Sequence, residues 1–249
     1  MVPPINNKSI FKMKKEGLLI MDTVIYSILT IAYLFLLILT LRFFKHHKWI
    51  RLEIVLLVVI LALLYDNGIL AFGRYIGEGS LLKALNEARY WFHALFTPLL
   101  VLFAWNTLVL ANVQWARKRF VKWLVVALTI GLILVEIGTV VWDISLDPTH
   151  ESGVLSYKNS GDKNAVMIIG VSTMLIISSL IVWWKQKWPW YFFGILSMGI
   201  IPVLNLFLNS KAIHNFSEFL LMISLVATMG FQDKLRHRVK SFLYSDKEL

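Results

Sequence analysis

Seven apolar stretches, each long enough to cross a lipid bilayer, constrain this chain more than any other feature of its sequence. A helix needs about 20 mainly apolar residues to span the hydrocarbon core of a membrane. The stretches that meet this length are Leu18 to Phe44, Leu52 to Phe72, Ala88 to Leu110, Phe120 to Trp142, Ala165 to Trp184, Trp188 to Leu208 and Ile213 to Phe231. The sequence therefore predicts an all-α integral membrane protein with seven transmembrane helices.

Composition and charge support the same class of protein. Charged residues make up 16% of the chain and hydrophobic residues 58%, whereas soluble domains are about 25% charged. The net charge of +10 comes from short Lys and Arg clusters between the apolar stretches, which indicates membrane topology rather than nucleic-acid binding. We expect one transmembrane domain at residues 18–231, between an N-terminal tail at 1–17 and a basic tail at 232–249.

The distribution of Lys and Arg also favours one orientation of the spans. Basic residues accumulate in loops on the cytoplasmic side of a membrane, and more of them fall on that side if the N-terminus lies outside. The lysines before the first span oppose this orientation, although translation from Met13 or Met21 would remove some or all of them. We predict an outside N-terminus and a cytoplasmic C-terminus, in a multi-pass protein of the plasma membrane.

Strongly polar residues within the spans gather in the half that would face outside. Ionisable side chains are costly in hydrocarbon and therefore indicate a functional site. Helical spacing places Arg89 and His93 on one face of the third span, and His214 and Glu218 on one face of the seventh. We predict that these faces surround a water-accessible pocket that opens outward. The candidate catalytic residues are Asp66, Glu136, Glu218 and His93, and the candidate substrate-binding residues are Asn67, Arg74, Arg89, Tyr90, Asn205 and Asn209.

Carboxyl groups and histidines in such a pocket support two kinds of catalysis. In the first, one carboxyl group donates a proton while another accepts one, and Asp66 and Glu218 are the first choices for these roles. In the second, His93, His214 and Glu218 bind a divalent metal such as zinc. Because the rest of the pocket would be apolar, the expected substrate is an amphiphilic lipid or isoprenoid.

Other interpretations of the same residues stay open. Arg89 could form an internal ion pair with Asp66 or Glu136, which would make those residues structural. The protein could also be a non-enzymatic carrier or receptor for a small polar solute or a lipid headgroup. Membrane lipid is the expected partner in each case. The absence of cysteine excludes disulfides and a cysteine nucleophile.

Two features of the chain affect the shape of the pocket. Pro98 is expected to kink the third span, because proline cannot donate the backbone hydrogen bond of a helix. The outer segment from Ile144 to Asn164 has the composition of a loop, and we expect it to act as a lid over the pocket.

Overall fold

Eight α-helices and one β-hairpin make up the part of the chain that the structure describes. This structure is a computed structural model, and it describes residues 7–46, 54–161, 165–208 and 210–245. The helices are α1 (Asn7–His46), α2 (Ile54–Ile76), α3 (Ser80–Phe96), α4 (Leu100–Leu110), α5 (Arg119–Glu136), α6 (Val166–Gln186), α7 (Trp190–Leu208) and α8 (Ala212–Ser245).

Six helical segments among the described residues are long and apolar enough to cross a membrane. These segments are Asp22–Arg42, Ile54–Ile76, Ser80–Leu110, Arg119–Val141, Val166–Gln186 and Ala212–Arg238. The apolar segment Trp190–Ile201 within α7 is shorter. The chain is therefore a multi-pass membrane protein built from α-helices.

Helices α3 and α4 form one span that is interrupted at a proline. Pro98 lies in a single turn of 3-10 helix at Thr97–Leu99, between the two helices, as its missing N–H donor leads us to expect. The span begins at Ser80, earlier than the predicted start at Ala88. The prediction placed the start too late because the polar residues of the first turns lower the local hydropathy. This early start adds the segment before Ala88 to the helix that carries Arg89 and His93.

The core of the bundle consists of large apolar side chains. Leu56, Ile60 and Val101 are among those with almost no exposed surface. A close approach between α7 and α8 depends on Gly194, because a Cβ atom there would lie well inside contact distance of the Ser224 hydroxyl. Small residues allow helix backbones to approach in this way inside membranes.

The segment from Ile144 to Asn164 contains a β-hairpin, which the sequence analysis did not predict. Strand β1 (Leu146–Glu151) pairs antiparallel with β2 (Val154–Asn159). Ser152 and Gly153 form the two-residue turn with φ values of 51° and 81°, and positive φ at both positions is characteristic of type I′ hairpin turns. Leu155 and Tyr157 are buried, so the hairpin is docked onto the helices. The side of the bundle that it covers is called the hairpin end below.

The opposite end of the bundle carries polar contacts that the sequence analysis also did not predict. Ser178 Oγ and Tyr191 Oη lie 2.7 Å apart. Gln232 Nε2 donates hydrogen bonds to the Thr107 carbonyl at 3.0 Å and to Gln186 Oε1 at 2.9 Å. These uncharged groups form hydrogen bonds between helices, so they are expected to contribute to packing rather than to chemistry.

Candidate functional site

A cavity lies at the hairpin end, between α2, α3, α5, α6, α8 and the hairpin. It has three adjoining parts with volumes of about 420, 260 and 100 Å³, called here the mouth, the middle and the apolar end. His93, Ile168 and His214 line all three parts. Charged side chains from the hairpin line the mouth, whereas mainly Val, Leu, Ile and Met side chains line the apolar end. The surface of the cavity therefore changes from charged to apolar along its length.

An ion pair between Asp66 and Arg89 forms part of the wall of the middle. Arg89 Nε donates to Asp66 Oδ1 at 2.7 Å, and Arg89 Nη1 donates to Asn86 Oδ1 at 2.7 Å. Asn215 Nδ2 donates to Asp66 Oδ2 at 3.0 Å. Both carboxylate oxygens of Asp66 are therefore engaged. The internal pairing that the sequence left open is present, and it holds the Arg89 guanidinium against the cavity.

Glu136 presents a different kind of carboxyl group. Its side chain is buried and lines the mouth together with His93, and its Oε2 atom has no hydrogen-bond partner among the described residues. A π-helical turn at Ile137–Val141 follows Glu136 directly. Such turns are rare in proteins in general, and those that occur are often found at functional sites. A buried polar atom without a partner costs free energy, which marks Glu136 as a candidate functional residue.

Two histidines continue the polar surface from the mouth towards the apolar end. His214 Nε2 lies 3.4 Å from Glu218 Oε1, one helical turn further along α8. His93 Nδ1 lies 3.1 Å from the Thr97 hydroxyl. Both histidines line every part of the cavity, and Glu218 lines the middle and the apolar end. Groups that can exchange protons are therefore present where polar and apolar surfaces meet.

The side chains of the predicted metal site share one part of the cavity. His93, His214 and Glu218 all line the middle of the cavity. Among the described residues, however, no group of three or more His, Asp or Glu side chains is close enough to hold a metal ion. The physical reason is that His93 is turned to Thr97, while His214 is turned to Glu218.

Three charged residues meet at the mouth. The ammonium groups of Lys158 and Lys211 both donate to the same oxygen, Oε2 of Glu151. Burial acts to raise the pKa of Glu151, but the two ammonium groups outweigh burial and hold that pKa below its ordinary value. Burial lowers the pKa of Lys158, and its neighbour Lys211 lowers it further, although Glu151 acts in the opposite direction. Burial also acts to lower the pKa of Lys211, but its hydrogen bond with Glu151 raises that pKa above the ordinary value.

Asp22 connects this cluster to the first helix. The Ser210 hydroxyl donates to Asp22 Oδ1, and the backbone N–H of Lys211 donates to Asp22 Oδ2 at 2.9 Å. The side chain is 1% exposed, and it also lines the mouth. Asp22 therefore holds the start of α8 against α1.

The remaining predicted binding residues divide into separate groups. Tyr90 lines the cavity, and its hydroxyl accepts a hydrogen bond from the Asn159 backbone at 2.9 Å. Asn67 is buried in the helix interface, where its Nδ2 donates to the Leu63 carbonyl at 2.8 Å. Arg74 is exposed and does not line any of the three parts of the cavity. The Asn205 side chain and Asn209 lie outside the residues that the structure describes.

The residues of the site that the sequence analysis missed include Asp22, Glu151, Lys158, Lys211 and Asn215. Asp22 had a usable signal, because it is an ionisable residue within an otherwise apolar span. Glu151 and Lys158 had no signal in the sequence, since only the register of the hairpin brings them to the cavity. Asn215 follows His214 directly, but the helical pattern assigned it to another face.

Helical architecture and apolar spans define the class of this chain as multi-pass helical membrane proteins. No protein-family model matches the chain, and no curated protein matches it.

Proposed function

We propose that this protein is an enzyme that acts on an amphiphilic lipid or isoprenoid by transferring protons between carboxyl groups, histidines and substrate. The observation that carries the proposal is Glu136, a buried residue lining a cavity that runs from charged to apolar, whose Oε2 atom has no hydrogen-bond partner in the part of the chain that the structure describes. An amphiphile matches such a cavity because its headgroup can stay in the mouth while its chain occupies the apolar end.

The proposed reacting groups lie near the boundary between the two surfaces. Glu136 and His93 form the first pair, because both line the mouth. His214 and Glu218 form a second pair at 3.4 Å, closer to the apolar end. Within each pair, one group can donate a proton to the substrate while the other accepts one. Asp66 acts as a positioning residue, since both of its oxygens are engaged by Arg89 and Asn215.

The test is conversion of lipid by purified protein. Wild-type protein and a Glu136→Gln variant are incubated with membrane lipid extract and with a panel of isoprenoids, and products are measured by mass spectrometry. General acid–base catalysis contributes about 10²- to 10⁴-fold to rate, so we expect the variant to lose at least about 100-fold in product formation. Glu87→Gln is the matched control, because Glu87 is an exposed carboxylate at the hairpin end.

Each outcome of this test decides between functions. The enzyme proposal is supported if the Glu87→Gln variant forms product and the Glu136→Gln variant does not, while both variants have the same melting temperature. Equal product formation by all three proteins contradicts the role of Glu136. If wild-type protein forms no product but moves a solute or lipid across vesicle membranes, the protein is a carrier.

We also propose that α7 is a seventh span, with the N-terminus outside and the C-terminus in the cytoplasm of a plasma-membrane protein. The close approach of Gly194 to Ser224 supports the count, because it places α7 directly against a spanning helix. The basic residues Arg117, Lys118 and Arg119 at the end opposite the hairpin support the orientation, since basic loops favour the cytoplasmic side.

Single cysteines test this orientation, because the natural chain contains none. Ser160 is exposed at the hairpin end and Lys118 is exposed at the opposite end. A membrane-impermeant maleimide added to intact cells is expected to label Ser160→Cys at once and Lys118→Cys only after the cells are permeabilised. The reverse labelling pattern would establish the opposite orientation.

A further inference from the structure

The mouth of the cavity holds more hydrogen-bond donors than the protein satisfies. A lysine ammonium group has three N–H donors and an arginine guanidinium has five. Lys158 and Lys211 each donate one hydrogen bond to Glu151. Arg89 donates through Nε and Nη1, while its Nη2 makes no hydrogen bond to a described residue. All three cations line the mouth, so most of their donors remain for a bound molecule.

Two aspartates in contact with Lys211 and Arg89 already accept hydrogen bonds. Asp22 accepts from Ser210 and from the Lys211 backbone. Both oxygens of Asp66 accept from Arg89 and Asn215. The Asp22 and Asp66 carboxylates are therefore already engaged, and a ligand rich in acceptor oxygens would supply partners for the donors that remain.

Glu151 shows where such acceptors would lie. One of its oxygens attracts two ammonium groups that would otherwise repel each other. The pKa of Lys158 is held below its ordinary value by burial and then by Lys211, with Glu151 opposing both effects. A ligand with several anionic oxygens can pair with both lysines and with Arg89 at once, which a single carboxylate oxygen does not do.

We propose that the mouth binds the phosphate headgroup of a phosphorylated amphiphile, in place of Glu151, with the hydrocarbon chain directed to the apolar end of the cavity. Lys158 and Lys211 bind the phosphate oxygens that Glu151 now mimics, and Arg89 binds from the wall of the middle. This inference rests on the proposed function and deepens it, because it names the chemical class of the substrate.

Binding of dodecyl phosphate tests the inference without requiring turnover. Protein in a neutral maltoside detergent is titrated with dodecyl phosphate, and bound copies are counted by native mass spectrometry. Lys158→Gln and Lys211→Gln are each expected to weaken binding about tenfold or more. Glu151→Gln is expected to strengthen binding several-fold, because it removes the competing anion. Lys83→Gln is the matched control, since Lys83 is an exposed lysine at the hairpin end that does not line the cavity.

The gain of affinity in Glu151→Gln separates this site from a loss of folding, because a misfolded variant does not bind more tightly. Inorganic phosphate, dodecanoate and dodecanol are titrated in parallel. Weak binding of all three supports a phosphorylated amphiphile, whereas inorganic phosphate binding as tightly as dodecyl phosphate would show a site for free phosphate. Equal affinity of all variants for dodecyl phosphate overturns the proposal.

These outcomes are independent of the test of the proposed function. If Glu136-dependent conversion of a lipid is observed while dodecyl phosphate binds equally to every variant, the enzyme stands and the phosphate site fails. If the predicted order of affinities is observed while no lipid is converted, the phosphate site stands and the enzyme fails.

Discussion

Asp66 and Arg89 exemplify how a charged residue can be retained inside an apolar bundle. The side chains are 24% and 16% exposed, respectively, and their charged atoms lie 2.7 Å apart. Asn86 accepts from Arg89, and Asn215 donates to Asp66. Removing one partner of such a pair leaves the other charge in apolar surroundings, which is more costly than removing both. Asp66 is therefore expected to contribute to folding as well as to the site.

A double-mutant cycle tests this coupling. Asp66→Asn and Arg89→Gln are each expected to lower the free energy of unfolding by about 2 kcal/mol, because each leaves hydrogen bonds to a charged group unmade. The double variant is expected to lose less than the sum, with a coupling of about 1–3 kcal/mol. The measurement is unfolding in mixed micelles. Asp143→Asn, at an exposed carboxylate, should change the free energy little, and additive losses would show that the pair is not coupled.

For single residues, the sequence predicts which side chains line the cavity better than it predicts what each side chain does there. Helical spacing was sufficient to bring Asp66, His93, Glu136 and Glu218 to one cavity, because turns of a membrane helix are regular. It was not sufficient to separate Asp66, whose oxygens are both engaged, from Glu136, whose Oε2 has no partner among the residues that the structure describes. That difference depends on side-chain geometry across helices, and the catalytic roles remain predictions.

The hairpin approaches α2 closely at Gly73. A Cβ atom at Gly73 would lie well inside contact distance of the Leu155 carbonyl oxygen. That neighbour is backbone, so it cannot move aside by a change of rotamer. The buried Leu155 and Tyr157 of β2 depend on the same approach. Gly73 therefore determines whether the hairpin can dock over the cavity.

Substitution of this glycine should separate the hairpin from the helices. Gly73→Ala is expected to lower the free energy of unfolding by about 1–3 kcal/mol through overpacking. Gly131→Ala is the control, because nothing lies within 4 Å of a Cβ there, and alanine favours a helix over glycine. The readouts are chemical unfolding and protease cleavage within the hairpin. Equal stability and equal cleavage of both variants would contradict the packing of Leu155 on α2.

The elements of this fold differ in how strongly the sequence encodes them. The length of the apolar stretches is enough to predict the helices, whereas the hairpin lies in a segment whose composition is that of a loop. Its signal was the Ser152–Gly153 turn between two short runs, and the positive φ values at both residues suit that dipeptide. Runs of six residues are too short for periodicity to distinguish a strand from irregular structure.

At the scale of the whole molecule, charged contacts at the hairpin end connect distant parts of the chain. Asp22 in α1 binds residues at the start of α8, and Lys211 beside α8 binds Glu151 in the hairpin. His150 Nε2 also lies 2.6 Å from Glu78 Oε1, after α2. These contacts lie outside the apolar core, so pH is expected to affect closure of the hairpin end before it affects the bundle.

The direction of that pH effect follows from Glu151. Its pKa is lowered from an ordinary value of 4.5 by Lys158 and Lys211, which outweigh burial. A carboxylate with a lowered pKa in the folded state contributes stability above its unfolded pKa and loses it as pH falls through the folded pKa. The pKa of Lys211 is raised, so its contribution is lost only as pH rises above the ordinary value of 10.5. The hairpin is therefore expected to stay docked near neutral pH and to be released in acid.

A nitroxide on Thr149→Cys reports this release, because Thr149 lies in β1 and the natural chain has no cysteine. We expect the label to become more mobile as the pH falls below the ordinary value of 4.5, because the carboxylate then takes up its proton. In a Glu151→Gln background the label should be slightly more mobile at neutral pH, because the buried Leu155 and Tyr157 still dock the hairpin while neither lysine has an anionic partner in it. It should then change less as the pH falls. An identical acid transition in both backgrounds would show that Glu151 is not the group responsible.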